Sequence, residues 1–397
     1  MRRLLALLLL AAPVFSADPP TPDKDGFVPL FNGKDLTGWV NVNCGPKTWT
    51  VKDGVLITSG TPIGLLRTEK QYENFEIEFD WMHINTKDVG NSGFFVWCDP
   101  LPQIGGPFTR GIEVQVLVNY PKNDWATNHG DVFSVSGAKC KPDRPHPTKK
   151  GLERCLPSEE RCKGGGEWNH YRVVAKDGAI KLSVNGKEVS GVSECTPRKG
   201  YLSFESEGAE CHFKNVKIKE LPTSNPKKEQ VAGVDEGFKP LFNHTDLTGW
   251  TTAKDAWKVE GGVLKPTERA LLLGAGKHAT GELLFDWKAP AKPAGTVGVN
   301  LGAAGVTFDP DGMAQVGVAA GSTVSASEKA EAKGLKAGAW NRVVLTFDGK
   351  KATATVNGVA AGTAEVKAAA PALPVVFHPT DGLEIRNVYL RELPAKK

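Results

Sequence analysis

The sequence predicts an all-β chain of two antiparallel β-sandwich domains in tandem, and three observations carry that prediction. Apolar and polar residues alternate over short runs: "FEIEFDW" sets Phe75, Ile77, Phe79 and Trp81 on one face, and "AIKLSV" does the same for Ile180, Leu182 and Val184. Glycine and Asn-Gly pairs punctuate these runs roughly every 8 to 12 residues, and no long stretch carries a helical apolar stripe. The third observation is a repeat. "GFVPLFNGKDLTGW", Gly26 to Trp39, returns 211 residues later as "GFKPLFNHTDLTGW", Gly237 to Trp250, with eleven of fourteen positions the same.

In chain order, the first element is "MRRLLALLLLAAPVFSADPP". Two arginines, an apolar run from Leu4 to Phe15 and small residues at Ser16 and Ala17 predict a signal peptide over residues 1–17, cleaved near Ser16 or Ala17. A secreted or periplasmic protein follows from it. No later run has the length of a membrane helix, so no membrane span is expected. The first domain is expected over 26–221 and the second over 237–394. Between them "PTSNPKKEQVAGVDE", residues 222–236, is polar and aperiodic and reads as a linker. The copies keep step through four further landmarks. "TWTVKDGVL" is answered by "AWKVEGGVL" and "FDW" recurs at Phe285 to Trp287. "EWNHYRVVAKDGAIKLSVNG" returns as "AWNRVVLTFDGKKATATVNG", and "KNVKIKEL" as "RNVYLREL". Trp39, Trp49, Trp81 and Trp168 thereby match Trp250, Trp257, Trp287 and Trp340, and all eight are expected in the cores. Asn185-Gly186 and Asn357-Gly358 have the preferred composition of two-residue hairpin turns.

The 397 residues carry 49 basic and 45 acidic side chains, a net charge of +4 spread along the chain. No basic face suited to nucleic acid follows from that, and no nucleic-acid partner is expected. The sequence leaves the oligomeric state open.

Taken together, "PLFNGKDLTGW", "WTVKDGVL", "NFEIEFDW", "NSGFF", "GIEVQVL", "EWNHYRVVAKDG" and "FESEGAECHFKNVKIKEL" resemble the 3-keto-disaccharide hydrolase family across the whole first copy. The second copy matches at its framework and departs elsewhere. The resemblance implies concanavalin A-like jelly rolls, a carbohydrate substrate and cleavage of the glycosidic bond in a sugar already oxidised at C3. A C3 ketone acidifies the C2 hydrogen and places the C1 leaving group β to a carbonyl. Cleavage can then run by elimination and addition of water, which calls for a base, a donor or cation at the enolate oxygen, and an acid.

"GIEVQVL" sends Ile112, Val114 and Val116 to one face and Glu113, Gln115 and Leu117 to the other, where such a fold holds sugars. Glu113 is the first candidate for general base or metal ligand, and Gln115 for a hydroxyl contact; a solvated strand face is the plain alternative. Asn91 and Ser92 precede a strand, with Gly93 permitting close backbone approach, although Asn-Ser-Gly is equally a turn. His129 titrates near neutrality and is a candidate acid, base or ligand, or an incidental loop residue. Glu205 and Glu207, in "FESEG", are an acidic turn or a second carboxylate beside Glu113, where like charges would raise one pKa. Many family members carry Gln-x-His-Gly here, so no histidine role transfers to this place. Arg110 is a candidate to polarise a keto oxygen, and Trp97 and Trp125 to stack on a sugar.

All seven cysteines, Cys44, Cys98, Cys140, Cys155, Cys162, Cys195 and Cys211, lie in the first copy, and an exported protein predicts disulfides with one thiol left over. Cys140, His146, Cys155 and Cys162 could instead hold zinc, though their spacing matches no compact module. No cofactor follows firmly; a divalent metal is possible. In the second copy "GMAQV" answers "GIEVQ", which sets Ala314 against Glu113 and Val316 against Gln115. The leading expectation is therefore a hydrolase or lyase whose site lies in copy one. The alternatives are a non-catalytic carbohydrate-binding protein and a cell-surface interaction protein.

Overall fold

The computed structural model describes residues 21–121, 129–368 and 370–394. Its regular structure is β apart from one 3₁₀ turn, Lys228–Gln230, and it forms four antiparallel sheets in two face-to-face pairs. No helix among the described residues is long and apolar enough to cross a membrane.

The first pair spans Val28–Pro29 to Cys211–Glu220. Its nine-stranded back sheet is centred on Phe75–His83, flanked by Asn169–Lys176 and Cys211–Glu220. Its seven-stranded front sheet places Gly90–Cys98 between Gly111–Val118 and Tyr201–Ser206. Between the sheets the period-two faces meet. Phe75, Ile77, Phe79 and Trp81 are fully buried against Phe94, Ile112, Val114 and Phe204. The aromatic centre is tight, with Phe204 and Phe213 ring centroids 4.4 Å apart and Phe79 edge-on to Phe204 at 5.2 Å. Cutting such a residue to alanine costs about 3–5 kcal/mol. The second pair repeats the plan with two eight-stranded sheets.

Asn185 and Gly186 both take positive φ, 47° and 85°, as do Asn357 and Gly358, 50° and 82°. That is the conformation a two-residue hairpin turn requires, and Asn-Gly adopts it at low cost. Six of the eight framework tryptophans are buried as expected. Trp168 and Trp340 are the exceptions: each stands half-buried on the back sheet, under Lys214 Nζ (3.8 Å) and Arg386 (6.0 Å) respectively.

The strand order corrects the pairing of the two copies. The strand after Val297–Leu301 in the second front sheet is Ala304–Phe308, so this strand, and not Met313–Ala320, occupies the place of Gly111–Val118. By register, Gly305 stands where Glu113 stands and Thr307 where Gln115 stands, while Gly298 matches Gly93 and His378 matches Glu205. Ala314 and Val316 belong to the next strand over. The mismatch arose because copy one inserts a loop, residues 99–110, where copy two turns within Gly302-Ala303.

That loop locks the copies together. Arg110 and Asp99 close its base with two hydrogen bonds (2.9 and 3.0 Å), and its tip, Pro102 to Gly106, lies on the back sheet of copy two. Residues of the 222–236 segment are also held. Asp235 meets Arg67 at 2.5 Å, and Ala232 donates its N–H to Lys199 O at 2.7 Å.

None of the seven cysteines is paired, against the expectation of disulfides. Each thiol lies on its own strand or loop with a separate neighbour: Cys98 beside Ser203 Oγ (2.9 Å), Cys140 beside Glu153 O (3.6 Å), Cys44 under Trp49 Nε1 (3.3 Å). They pack as small apolar side chains, and burial pushes Cys44 up to about 12 and Cys98 to about 11.

Candidate active site

The candidate residues come together on the outer face of the front sheet because three neighbouring strands alternate in phase. Glu113 pairs with Phe95, Gln115 with Gly93, and Phe204 with Phe94, which brings Glu205 opposite Gly93. The core takes the alternate residues Val114, Phe94 and Phe204, so Glu113, Gln115, Gly93 and Glu205 share the other face.

Gly93 is the pivot. A methyl group on it would sit 2.7 Å from Glu113 Oε1 and 2.8 Å from Glu205 Oε2, so these two oxygens are no more than ~5.5 Å apart. The missing side chain is the space into which both carboxyls project. Both residues are buried, Glu113 to 6 % and Glu205 to 1 % exposure, and Glu205 Oε2 has no hydrogen-bond partner. Burial, followed by the charge of Glu207, holds Glu113 well above the usual carboxylate range, while Arg154 pulls it down. Burial and then Glu113 raise Glu205, and a hydrogen bond between the carboxyls raises Glu205 and lowers Glu207. Burial remains the larger effect on Glu207, which is raised as well. The cluster thus holds its protons to higher pH than isolated glutamates would, with burial the leading cause in all three.

Around the carboxyls runs a fixed polar chain. Gln115 Nε2 donates to Asn91 Oδ1 (2.8 Å) and Ser92 O (3.1 Å), and Asn91 Nδ2 donates to Glu207. Arg154, which the sequence did not single out, donates to Asp131 (2.6 Å) and to Gln115 Oε1 (3.3 Å), and stacks 3.9 Å over Phe133. Arg154 and Asp131 are essentially inaccessible, so the pair is a buried one whose members need each other. Beyond them the face turns apolar, with Val42, Leu65, Phe95, Cys98 and Tyr201 under Phe108 and Val135.

Other expectations are corrected. Trp97 is fully buried in the core, its Nε1 donating to Glu73 O (2.7 Å), because a bulge at this residue (φ 57°) switches the phase of the strand. Ser92 faces the core side and ties its strand to Glu205 O (2.7 Å). Arg110 is engaged by Asp99, as described above. His129 is buried and its Nε2 accepts the Cys162 N–H (3.1 Å), so that nitrogen is committed to the loop. Trp125 lies outside the described residues. Among the described residues no three His, Cys, Asp or Glu side chains are grouped to hold a metal ion. The Cys140, His146, Cys155 and Cys162 set is not assembled, and His146 Nδ1 instead accepts the Lys149 N–H (3.0 Å). Cavities of about 340 and 550 Å³ lie elsewhere, the first in copy two beside Trp287 and the second on the back sheet of copy one.

In copy two the same positions hold no carboxylate. His378 Nε2 meets Asn300 Oδ1 at 2.7 Å, and Gly305 leaves the Glu113 position empty of side chain.

Comparison with known proteins bears on both copies. The profile of the 3-keto-α-glucoside-1,2-lyase-like domain matches residues 26–219 and again 237–389. A 3-keto-disaccharide hydrolase of Bacteroides thetaiotaomicron is 26 % identical over 200 residues, which are 46 % of this chain and 63 % of that protein. Among solved structures, a candidate glycosyl hydrolase of Parabacteroides distasonis is 30 % identical over 50 % of this chain and 95 % of its own, with a TM-score of 0.38. A carbohydrate-binding module of Bacillus subtilis, CBM66, is 14 % identical over 46 % of this chain and 96 % of its own, with a TM-score of 0.34.

Proposed function

Because this chain belongs to the 3-keto-α-glucoside-1,2-lyase-like family, we propose that copy one cleaves the glycosidic bond of 3-keto-glycosides by elimination, with copy two as its support. The observation that carries the reading is the convergence of Glu113 and the unpartnered Glu205 Oε2 on the space over Gly93. In the ionised form, Glu113 is the base that takes the C2 proton. The C–H electrons move to C2–C3 and charge collects on the C3 oxygen, where the fixed positive charge of Arg154 offsets it. As the enolate collapses, the C1–O bond breaks and Glu205 delivers its proton to the departing oxygen. Water then adds at C1 of the enone and a proton returns to C2, completing hydrolysis. Gln115 and Asn91, held by each other, orient hydroxyl groups. We also propose that the protein works outside the cytoplasm, on the strength of the leader-like residues 1–17.

Two facing carboxyls whose nearest oxygens lie within ~5.5 Å also admit a second reading. Retaining glycosidases place two carboxyls about 5–5.5 Å apart and need no ketone. Isotopic labelling separates the two. A 3-keto-glucoside deuterated at C2 is expected to react more slowly than its protiated form, and the parent glucoside to remain intact. Cleavage of both sugars at like rates without an isotope effect would establish the retaining route; no release from either would leave a binding protein.

A further inference from the structure

The two copies share a second constellation, on the outer face of the back sheet. In copy one Asp80 faces His170, and in copy two Asp286 faces Arg342 at the same register. Asn215 and Asn387 sit at matching bulges with φ of 54° and 52°, and each donates to its aspartate (2.6 and 2.7 Å). Trp168 and Trp340 stand beside them.

In copy two this constellation is filled. The Gly105 N–H donates to Asp286 Oδ2 (2.9 Å). Arg342 donates to Pro102 O (2.8 Å), Asn387 to Gly106 O (3.0 Å), and Arg386 to Gly105 O (2.9 Å). Only glycine fits at the tip, since a Cβ on Gly105 would lie 2.1 Å from the Trp340 ring. Asp286 and Asn387 are fully buried by the contact.

In copy one the same place is an open cavity of about 550 Å³, lined by Phe31, Glu78, Asp80, His170, Asn215 and Lys217. The Asp80 and His170 side chains keep 20 % and 43 % of their exposure. Tying strands together is not the whole task of the aspartate. Asp286 makes the same ties as Asp80 and still accepts a third donor, and a carboxylate has lone pairs for it. Copy two turns at Gly302-Ala303 and has no counterpart of the 99–110 loop to offer in return. The flanks differ as well: Glu78 and Lys217 replace Leu284 and Tyr389, the residues that Leu101 packs against.

We propose that this face of copy one is a docking socket for a glycine turn of another polypeptide. The turn N–H lies on Asp80, its carbonyls on His170 and Asn215, and polar flanks face Glu78 and Lys217. The probe is a cyclised Pro-Gln-Ile-Gly-Gly-Pro peptide, the sequence of Pro102 to Pro107, added to the full chain labelled with ¹⁵N-histidine. A saturable shift of the His170 imidazole is expected. By calorimetry, His170→Arg, which restores the copy-two donor, should bind about tenfold tighter, and Asp80→Ala should not bind. Since Asp80→Ala also loosens the strands, a peptide with alanine in place of the second-contact glycine, Gly105, tests the socket on the unaltered protein and should fail to bind. Absence of saturable binding to both the wild type and His170→Arg would overturn the proposal, as would equal binding of the glycine and alanine peptides.

Discussion

Copy one and copy two differ little where the sheets meet and greatly on the front face. Both bury a tryptophan in the "FDW" strand, both turn on Asn-Gly, and both keep a glycine, Gly93 or Gly298, at the centre of the front sheet. Over Gly93 stand two carboxyls; over Gly298 stand a histidine and an asparagine that hydrogen-bond each other. The framework is an apolar pattern that many side chains share, so it survives the loss of any polar one. The candidate site depends on a handful of residues, and under the proposed mechanism a change at Glu113 alone would end it.

The comparison can be broken most severely at Glu113. Glu113→Gln should lower kcat/KM by about 10²–10⁴-fold on a 3-keto-glucoside, with the melting temperature held or raised because a buried charge is gone. A fully active variant would move the base elsewhere. A matched pair sharpens the comparison next. Gly93→Ala should cut activity by about a hundredfold through displacement of both carboxyls, at a stability cost within about 1 kcal/mol because flexible tips give way. Gly298→Ala, whose Cβ would meet His378 at 3.1 Å, should leave turnover unchanged. Equal losses from the two would mean that the glycines serve packing alone. The smallest effect is on pH. Glu207→Gln removes a charge that raises Glu113, so the acid limb of kcat/KM should move to lower pH. The same variant should flatten the pH dependence of stability. Both glutamates have raised values in the fold, so the native state keeps protons the unfolded chain gives up. Their contribution is most favourable below the ordinary carboxyl range and declines as pH rises toward the folded values.

Much of this was legible in the sequence, for physical reasons. Strand periodicity gives the face of each residue, so Ile112, Val114 and Val116 define the side on which Glu113 and Gln115 emerge. The repeat gives the second sandwich. Periodicity fails at a bulge, which is why Trp97 reads as a surface ring and lies in the core. It is silent in loops and in very short strands, which is why Arg154 and Asp131 pass unnoticed: Arg154 opens the two-residue strand Arg154–Cys155 and Asp131 precedes Val132–Val135, where no alternation marks them. Local similarity between "GIEVQ" and "GMAQV" points to Ala314, whereas hydrogen-bonded strand order points to Gly305, because a twelve-residue loop in one copy is a two-residue turn in the other. The cysteines count as disulfide candidates by composition, and each remains a free thiol in the fold.

The 99–110 loop begins one residue after Cys98 and ends one before Gly111, so it joins the strand of Gly93 to the strand of Glu113. Whatever tightens or loosens its tip therefore pulls on the hairpin that carries both the pivot glycine and the first candidate base. Trp340 and Gly105 must also change together, since neither tolerates bulk in the other. The copy with no carboxylate over its front-sheet glycine is thus tied, through one loop tip, to the hairpin of the copy that has two.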